Sequence, residues 1–212
     1  MGTAKKTDRK ETPLEKADWV AAARSILVSD GISGLSLRRL AAELDATTGA
    51  FYWLFSNLDE LLQALREDWV TSNSAVFNRV FDDPKRDCRR KYLGYVRVLL
   101  SETDYDPKYD NAIRDWAHSC PATAEVLKKV DARRIGQLEE MFNDFGFQGR
   151  AARVRALTTY FHQSGYYRMG VTESLEERLA NVPYYAEILM SNDFLPPELG
   201  VEEIKRLIFE SY

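Results

Sequence analysis

The sequence predicts an all-α fold with a pair of short helices near its start and a longer helical region behind them. Apolar residues recur at i, i+3, i+4 and i+7 through most of the 212 residues. No segment alternates apolar and polar residues as a half-buried strand does, and the pair Asp30-Gly31 follows a helical pattern instead of joining two strands. Because 45% of the residues are hydrophobic, the chain can bury a sizeable core.

Four helices are predicted in the first third of the chain. Each is placed by an apolar stripe and by residues that begin or end helices, with Gly31 as a stop and Ser36 and Thr47 as N-caps. These helices are 14–29, 37–44, 48–54 and 58–81. The polar segment 1–12 is expected to be a disordered tail whose basic residues could contact phosphates, and these are Lys5, Lys6, Arg9 and Lys10.

Prolines separate the remaining helical patterns. The predicted helices are 85–103, 108–119, 121–146, 149–171, 173–191 and 201–210. We therefore expect three parts, which are a tail at 1–12, a helix-turn-helix domain at 13–57 and a second helical domain at 58–212.

Charge, cysteine content and hydropathy give no positive sign of function, but they exclude a disulfide-rich protein and a membrane-spanning one. The net charge is −4, and residues 1–66 hold nine basic and nine acidic side chains, so charge gives no sign of nucleic-acid binding. Two cysteines, Cys88 and Cys120, are too few for a disulfide framework. No apolar run approaches the roughly 20 residues that span a bilayer, and the start lacks the apolar segment of a signal peptide. We expect no membrane partner and a cytoplasmic location.

Residues 36–55 have the layout of a helix-turn-helix. In that motif the second helix lies in the major groove with its first residues at the base edges. Small residues open the second helix here, so its backbone could approach DNA closely. Any small helical core contains such a pair, and the pattern alone leaves a purely structural role open. The side chains expected to face DNA are Ser36, Arg38, Arg39, Thr47, Thr48, Gly49, Ala50, Tyr52 and Trp53.

The run GLSLRRLAAELDATTGAFYWLF at 34–55, followed by a long apolar-striped helix, resembles the N-terminal domain of the TetR family of regulators. The resemblance covers roughly residues 14–66. It implies that Ser36 caps the helix that meets a phosphate, that 47–53 is the recognition helix and that Tyr52 contacts the DNA backbone. It also implies that Phe51 and Phe55 are core, in agreement with their apolar spacing.

The sequence departs from the family pattern at two positions. The family often has a lysine where this chain has Thr48, and another where it has Leu58. Both departures remove a phosphate contact, so DNA binding is expected to depend less on salt than is usual. The basic tail could compensate for the loss.

The resemblance also implies a homodimer that binds a palindromic operator and responds to a small effector, most simply a repressor that releases DNA. Aromatic residues are dense in the second domain, as they are in ligand pockets. The pocket candidates are Tyr95, Trp116, His118, Met141, Phe161 and His162. The expected interface is a four-helix bundle of segments 149–171 and 173–191 from each protomer. Its candidate residues are Gly165, Tyr166, Met169, Leu179, Tyr185, Ile188 and Leu189.

Three alternatives remain open from sequence. One is a DNA-binding regulator without a small-molecule effector, and another is a regulator that senses oxidation through Cys88 or Cys120. The third is a helical enzyme, for which the P-loop, zinc-protease, CxxC and GxSxG motifs are all missing. The two histidines cannot build a histidine-rich metal site, and no cofactor is expected.

Overall fold

The structure is a computed structural model that describes residues 13–190 and 194–210. These residues form α-helices and one short 3-10 turn at Ile32–Gly34, and they contain no strand. The helices are α1 Lys16–Asp30, α2 Leu37–Glu43, α3 Thr48–Tyr52, α4 Leu58–Phe81, α5 Cys88–Ser101, α6 Pro107–Ala117, α7 Pro121–Asp144, α8 Arg150–Arg168, α9 Leu175–Leu189 and α10 Val201–Phe209. The predicted all-α fold is confirmed. The predicted tail at 1–12 lies outside the described residues.

Local capping explains where the helices begin and end. Gly31 stops α1 at a φ of +71°, and its N–H donates to the carbonyl of Leu27 at 3.1 Å. The sequence predicts a helix from residue 85, but α5 begins at Cys88 because the Asp87 carboxylate accepts from the Arg90 N–H at 2.8 Å.

The chain divides into two compact units, residues up to 65 and residues from 66 onward. The division falls inside α4, whereas the sequence places the domain boundary between 57 and 58. In the first unit, Trp19 meets the ring of Phe51 edge-on with centroids 5.3 Å apart, and Phe51 stacks on Phe55 at 5.2 Å. All three side chains are buried, so they hold α1 and α3 together in one small core.

A buried ion-pair network crosses the second unit. Asp110 on α6 accepts from Arg134 on α7 at 2.9 Å and from Arg114 at 3.0 Å. Arg114 also donates to the carboxylate of Asp131 and to the hydroxyl oxygen of Tyr160 on α8, both at 2.8 Å. Although burial opposes its ionisation, the two guanidinium groups hold the pKa of Asp110 below its usual value. The network therefore ties α6, α7 and α8 together through charged groups inside the core.

The same network reaches α4. Arg134 also donates to the backbone carbonyl of Asn73 at 3.2 Å. The Asn73 side chain in turn donates to the carbonyl of Asp106 at 3.0 Å and accepts from the N–H of that residue at 3.2 Å. The second-unit part of α4 is thus fixed to the start of α6 and to α7 by hydrogen bonds.

Candidate functional site

The two short helices of the first unit are both capped by hydroxyl side chains. The Ser36 hydroxyl accepts from the Arg39 N–H at 3.3 Å at the start of α2, and the Thr47 hydroxyl accepts from the Ala50 N–H at 3.2 Å at the start of α3. Between the helices the chain turns through Asp45, whose φ is +48°. The N–H of Ala46 then closes the turn on the carbonyl of Ala41 at 2.8 Å. The helix-turn-helix geometry follows from these local bonds.

One side of α3 holds the fold and the other faces solvent. Phe51 and Phe55 are buried, whereas Tyr52 is 60% exposed and Trp53 is 90% exposed. An exposed indole at the end of a five-residue helix contributes little to the core of its own chain. The division between core and surface that was expected from sequence is present, with both of these rings on the solvent side.

Gly49 occupies a position where the protein itself does not need glycine. A Cβ built at this residue meets only the Thr47 hydroxyl, at an ordinary 3.6 Å, and the backbone is helical. Glycine in a helix lowers stability by about 1 kcal/mol relative to alanine. Packing within the chain therefore does not account for the absence of a side chain at this position.

The two arginines of α2 differ in their surroundings. Arg38 and Arg39 are both exposed, but Arg39 donates to the Asp30 carboxylate at 2.5 Å. The hydrogen bonds from Ser29 and Arg39 hold the pKa of Asp30 below its usual value. Arg39 would have to leave this pair to contact DNA. Arg38 is the more accessible candidate for a phosphate contact.

A cavity of about 240 Å³ lies in the second unit between α5, α8 and α9. Its inner wall is apolar and includes Tyr92, Val96, Leu99, Val182 and Leu189, all of which are buried. This composition is usual for sites that bind small organic molecules.

Charged and polar side chains near the cavity are held by other protein groups. Arg178 donates to Glu102 and to the carbonyl of Leu99, both at 2.8 Å. Asn181 donates to Glu173 at 3.2 Å. Glu102 has a φ of +49° at the end of α5, and there its carboxylate also accepts from the Tyr167 hydroxyl at 2.9 Å.

Comparison with known proteins bears on the first unit most directly. The family model described as bacterial regulatory proteins, tetR family, matches residues 20–65, which include α2, α3 and the start of α4. The tetracycline repressor protein class C of Escherichia coli is 31% identical over 121 residues, or 57% of this chain and 52% of that protein. The first unit of the chain is therefore similar to the matching domain of TetR-family regulatory proteins. The match spans about half the length of this curated relative.

Solved structures share the fold beyond the first unit. A transcriptional regulator from Rhodococcus sp. Rha1 superposes with a TM-score of 0.61 at 19% identity, covering 92% of this chain and 94% of that one. The multidrug binding protein EbrR, solved in complex with imidazole, gives a TM-score of 0.52 at 21% identity, covering 87% of this chain and 97% of that one. The second unit therefore has the helical architecture found in these regulators.

Of the six residues expected in a TetR-type ligand pocket, two line the cavity. These are Tyr95 and His162. The other four do not line it, for separate reasons. Trp116 is buried beneath the Arg66 guanidinium at 5.2 Å, His118 is exposed at the end of α6, and Met141 is core. Phe161 points from α8 to the surface instead.

Sequence reasoning missed several residues of the cavity wall, among them Gln163 and Arg178. Tyr92, Val96 and Leu99 stand at helical spacing around Tyr95 and could have been grouped with it from the periodicity of α5. Gln163 follows Thr159 by one turn in the same way. The pattern of α8 alone does not show which of its faces a neighbouring helix leaves uncovered.

The predicted interface residues divide into two groups. Met169 is 81% exposed and Ile188 is 72% exposed, Tyr185 is also exposed, and Gly165 and Tyr166 are partly so. Leu179 and Leu189 are buried in the core of their own chain and are not available to a partner. Other large apolar side chains on the exposed faces of α8 and α9 are Val154, Phe161 and Tyr184.

Both cysteines carry free thiols at the beginnings of helices. Cys88 is the first residue of α5 and Cys120 precedes α7, and both are partly buried. Burial raises the pKa of the Cys88 thiol, which disfavours its reactive thiolate. In the described part of the chain, no helix is long and apolar enough to cross a membrane.

Proposed function

We propose that the protein is a homodimeric DNA-binding transcriptional regulator, a repressor that releases a palindromic operator when a small effector occupies the cavity of the second unit. The observation that carries the proposal is the solvent-facing side of α3. There Tyr52 and Trp53 are exposed beside Gly49, a glycine that the fold does not require. The match of residues 20–65 to a family of regulatory proteins supports it.

The chemistry of the α2–α3 surface suits DNA. The hydroxyl of Thr48 can bond a base edge and its methyl group can touch a thymine methyl, while the N–H groups at the start of α3 can bond phosphate. Arg38 supplies positive charge nearby, and Tyr52 can donate to a phosphate oxygen. Thr48 and Leu58 stand where the family often has lysines, so fewer phosphates are neutralised here.

Two protomers are needed for a specific operator. A single five-residue recognition helix offers few base contacts, whereas a two-fold dimer presents two such helices to a palindrome. The exposed apolar side chains of α8 and α9 provide a surface of the kind that two copies bury against each other.

The cavity favours an effector-responsive regulator over one without an effector, because a filled core would leave no room for a ligand. The names of two similar proteins, a tetracycline repressor and a multidrug binding protein, point the same way. Helix α4 carries residues of both units and is held by Arg134 through the carbonyl of Asn73. We infer that an effector acts on DNA affinity by shifting this helix.

The test is a titration of fluorescently labelled DNA from upstream of the protein's own coding sequence, at two salt concentrations. Arg38→Ala is expected to weaken binding to every sequence and to reduce the slope of log affinity against log salt by about one. Arg79→Ala is the matched control, because Arg79 is an exposed arginine of α4 that pairs with Asp104 at 3.0 Å. The proposal fails if the two variants behave alike.

A second variant tests the exposed aromatic side of α3. Tyr52→Ala is expected to weaken operator binding strongly while leaving the helix content unchanged, because the side chain packs mainly outside the core. Unchanged operator affinity in this variant would contradict the role given to α3.

A further inference from the structure

The size and walls of the cavity limit what can bind there. A volume of about 240 Å³ is below the roughly 300–1,000 Å³ of most ligand sites. Tyr92, Val96 and Leu99 of α5 face Val182 and Leu189 of α9 across this space. The body of a ligand should therefore be compact and mainly apolar.

Two hydrogen-bond donors in the wall have no partner among the described residues. The Tyr95 hydroxyl and the Nε2 of Gln163 are both buried and unpaired, and Tyr95 is only 5% exposed. Leaving such groups unpaired costs free energy, so they indicate a site where another molecule supplies an acceptor.

The two donors stand together at one end of the cavity. Tyr95 and Gln163 line both the cavity and a much smaller neighbouring pocket, which Arg134 also lines. The Nε of Arg134 is likewise buried without a partner. The remaining guanidinium nitrogens of Arg134 are held by Asp110 and by the carbonyl of Asn73. The polar end of the site is thus rich in donors and poor in free acceptors.

Two further polar side chains of the wall, Thr159 and Asn181, already have hydrogen-bond partners. The Thr159 hydroxyl donates to the carbonyl of Arg155 at 2.8 Å, and Asn181 donates to Glu173. Neither competes with Tyr95 and Gln163 for a ligand.

The charges of the wall disfavour an anion. Arg178, the cation among the described residues of the wall, already pairs with Glu102 at 2.8 Å, and Glu173 adds a negative charge. Burial lowers the pKa of His162, which disfavours its charged form, although Glu173 opposes the shift. An anionic ligand would bring a second negative charge beside Glu173 without a free counter-charge, which is unfavourable.

We propose that the effector is a compact molecule without negative charge that has an aromatic or alicyclic body and one hydrogen-bond acceptor, such as a carbonyl oxygen, to which Tyr95 and Gln163 donate. This inference rests on the effector role proposed above. It assigns the apolar walls to the ligand body and the two unpaired donors to its acceptor.

Three probes of similar size test this assignment on the full-length protein. Acetophenone carries the acceptor, α-methylstyrene replaces its carbonyl oxygen by a CH₂ group, and benzoate adds a negative charge. Calorimetry or ligand-observed NMR should give a dissociation constant for acetophenone at least about fivefold lower than that for α-methylstyrene, since each buried hydrogen bond to the carbonyl oxygen contributes roughly that factor. Benzoate should bind most weakly.

Matched variants assign the preference to the two side chains. Tyr95→Phe and Gln163→Leu should each reduce the preference for acetophenone over α-methylstyrene. Tyr184→Phe, the same change at an exposed tyrosine of α9 outside the cavity wall, should leave the preference unchanged. A thermal melt of each variant shows whether it is folded, and a crystal structure of the acetophenone complex provides a measurement that does not depend on any variant.

The results separate this inference from the proposed function. Equal binding of acetophenone and α-methylstyrene, tightest binding of benzoate, or no binding of any probe would overturn the inference. So would a complex in which the carbonyl oxygen lies more than about 3.5 Å from both donors. Operator DNA binding, measured on the same preparations without probe, tests the proposed function by itself. A carbonyl preference without DNA binding would support the ligand site and contradict the proposed function as a DNA-binding regulator.

Discussion

At the residue scale, Gly49 allows folding and function to be separated. Gly49→Ala should raise the free energy of unfolding by up to about 1 kcal/mol, because alanine favours the helix and its Cβ meets only ordinary contacts. The same variant should bind operator DNA more weakly, because the Cβ would stand where the DNA must approach. Urea unfolding and DNA titration measure the two effects.

Gly136→Ala is the control for this variant. Gly136 lies within α7, and a Cβ there meets nothing within 4 Å, so the change should stabilise the protein without affecting DNA affinity. If Gly49→Ala also leaves DNA affinity unchanged, the result contradicts the proposed close approach of α3 to DNA.

Glu60 gives the first unit a defined pH dependence. Its carboxylate accepts from Lys16 and from the backbone N–H of Ser56, both at 2.7 Å, and these bonds lower its pKa from 4.5 to about 2. A lowered folded-state pKa stabilises the protein above pH 4.5, and that contribution is lost as the pH falls towards 2.

The difference in free energy of unfolding between wild type and Glu60→Gln should therefore shrink over this pH interval. Urea unfolding followed by circular dichroism measures it. Glu125→Gln, which removes an exposed carboxylate 3.6 Å from Lys129, should change the free energy of unfolding little. If the difference in free energy of unfolding between wild type and Glu60→Gln stayed constant from pH 7 to pH 2, the pH dependence would not come from Glu60.

At the element scale, the helices could be predicted from sequence but the cavity could not. Ser36, Thr47 and Gly31 each act through bonds to residues three or four positions away, so the ends of α1, α2 and α3 are encoded locally. Gln163 becomes a cavity residue only because α5 and α9 leave one side of α8 uncovered. Phe161 and His162 are adjacent on α8, and the apolar spacing of this helix does not show which side chain faces solvent and which lines the cavity.

The contacts of α6, α7 and α8 depend on a buried carboxylate. Asp110→Asn removes the negative charge between Arg134 and Arg114 and should lower the free energy of unfolding by about 3–5 kcal/mol, because the buried Arg134 loses its carboxylate partner while Arg114 keeps only Asp131. Asp104→Asn breaks the exposed pair with Arg79 and should lower it by less than about 1 kcal/mol. Chemical denaturation compares the two, and equal losses would show that the buried network does not stabilise this unit.

At the scale of the whole molecule, the proposed function makes operator affinity depend on dimer formation. Ile188→Asp places a charge on the exposed apolar face of α9 and should shift the protein towards monomer and weaken operator binding. Ala132→Asp, which adds the same charge to an exposed position of α7, should do neither. Analytical ultracentrifugation measures the first effect. A dimer that persists in Ile188→Asp would place the interface elsewhere.

In the proposed complex, two copies of α3 bind the two halves of one operator. Hydroxyl-radical footprinting of the upstream DNA, with wild type and Tyr52→Ala side by side, detects both half-sites. We predict two protected half-sites whose centres are about 10–10.5 base pairs apart, or a multiple of that spacing, and their loss in the variant. Equal protection by both proteins, or no protected site at low salt, would contradict the account.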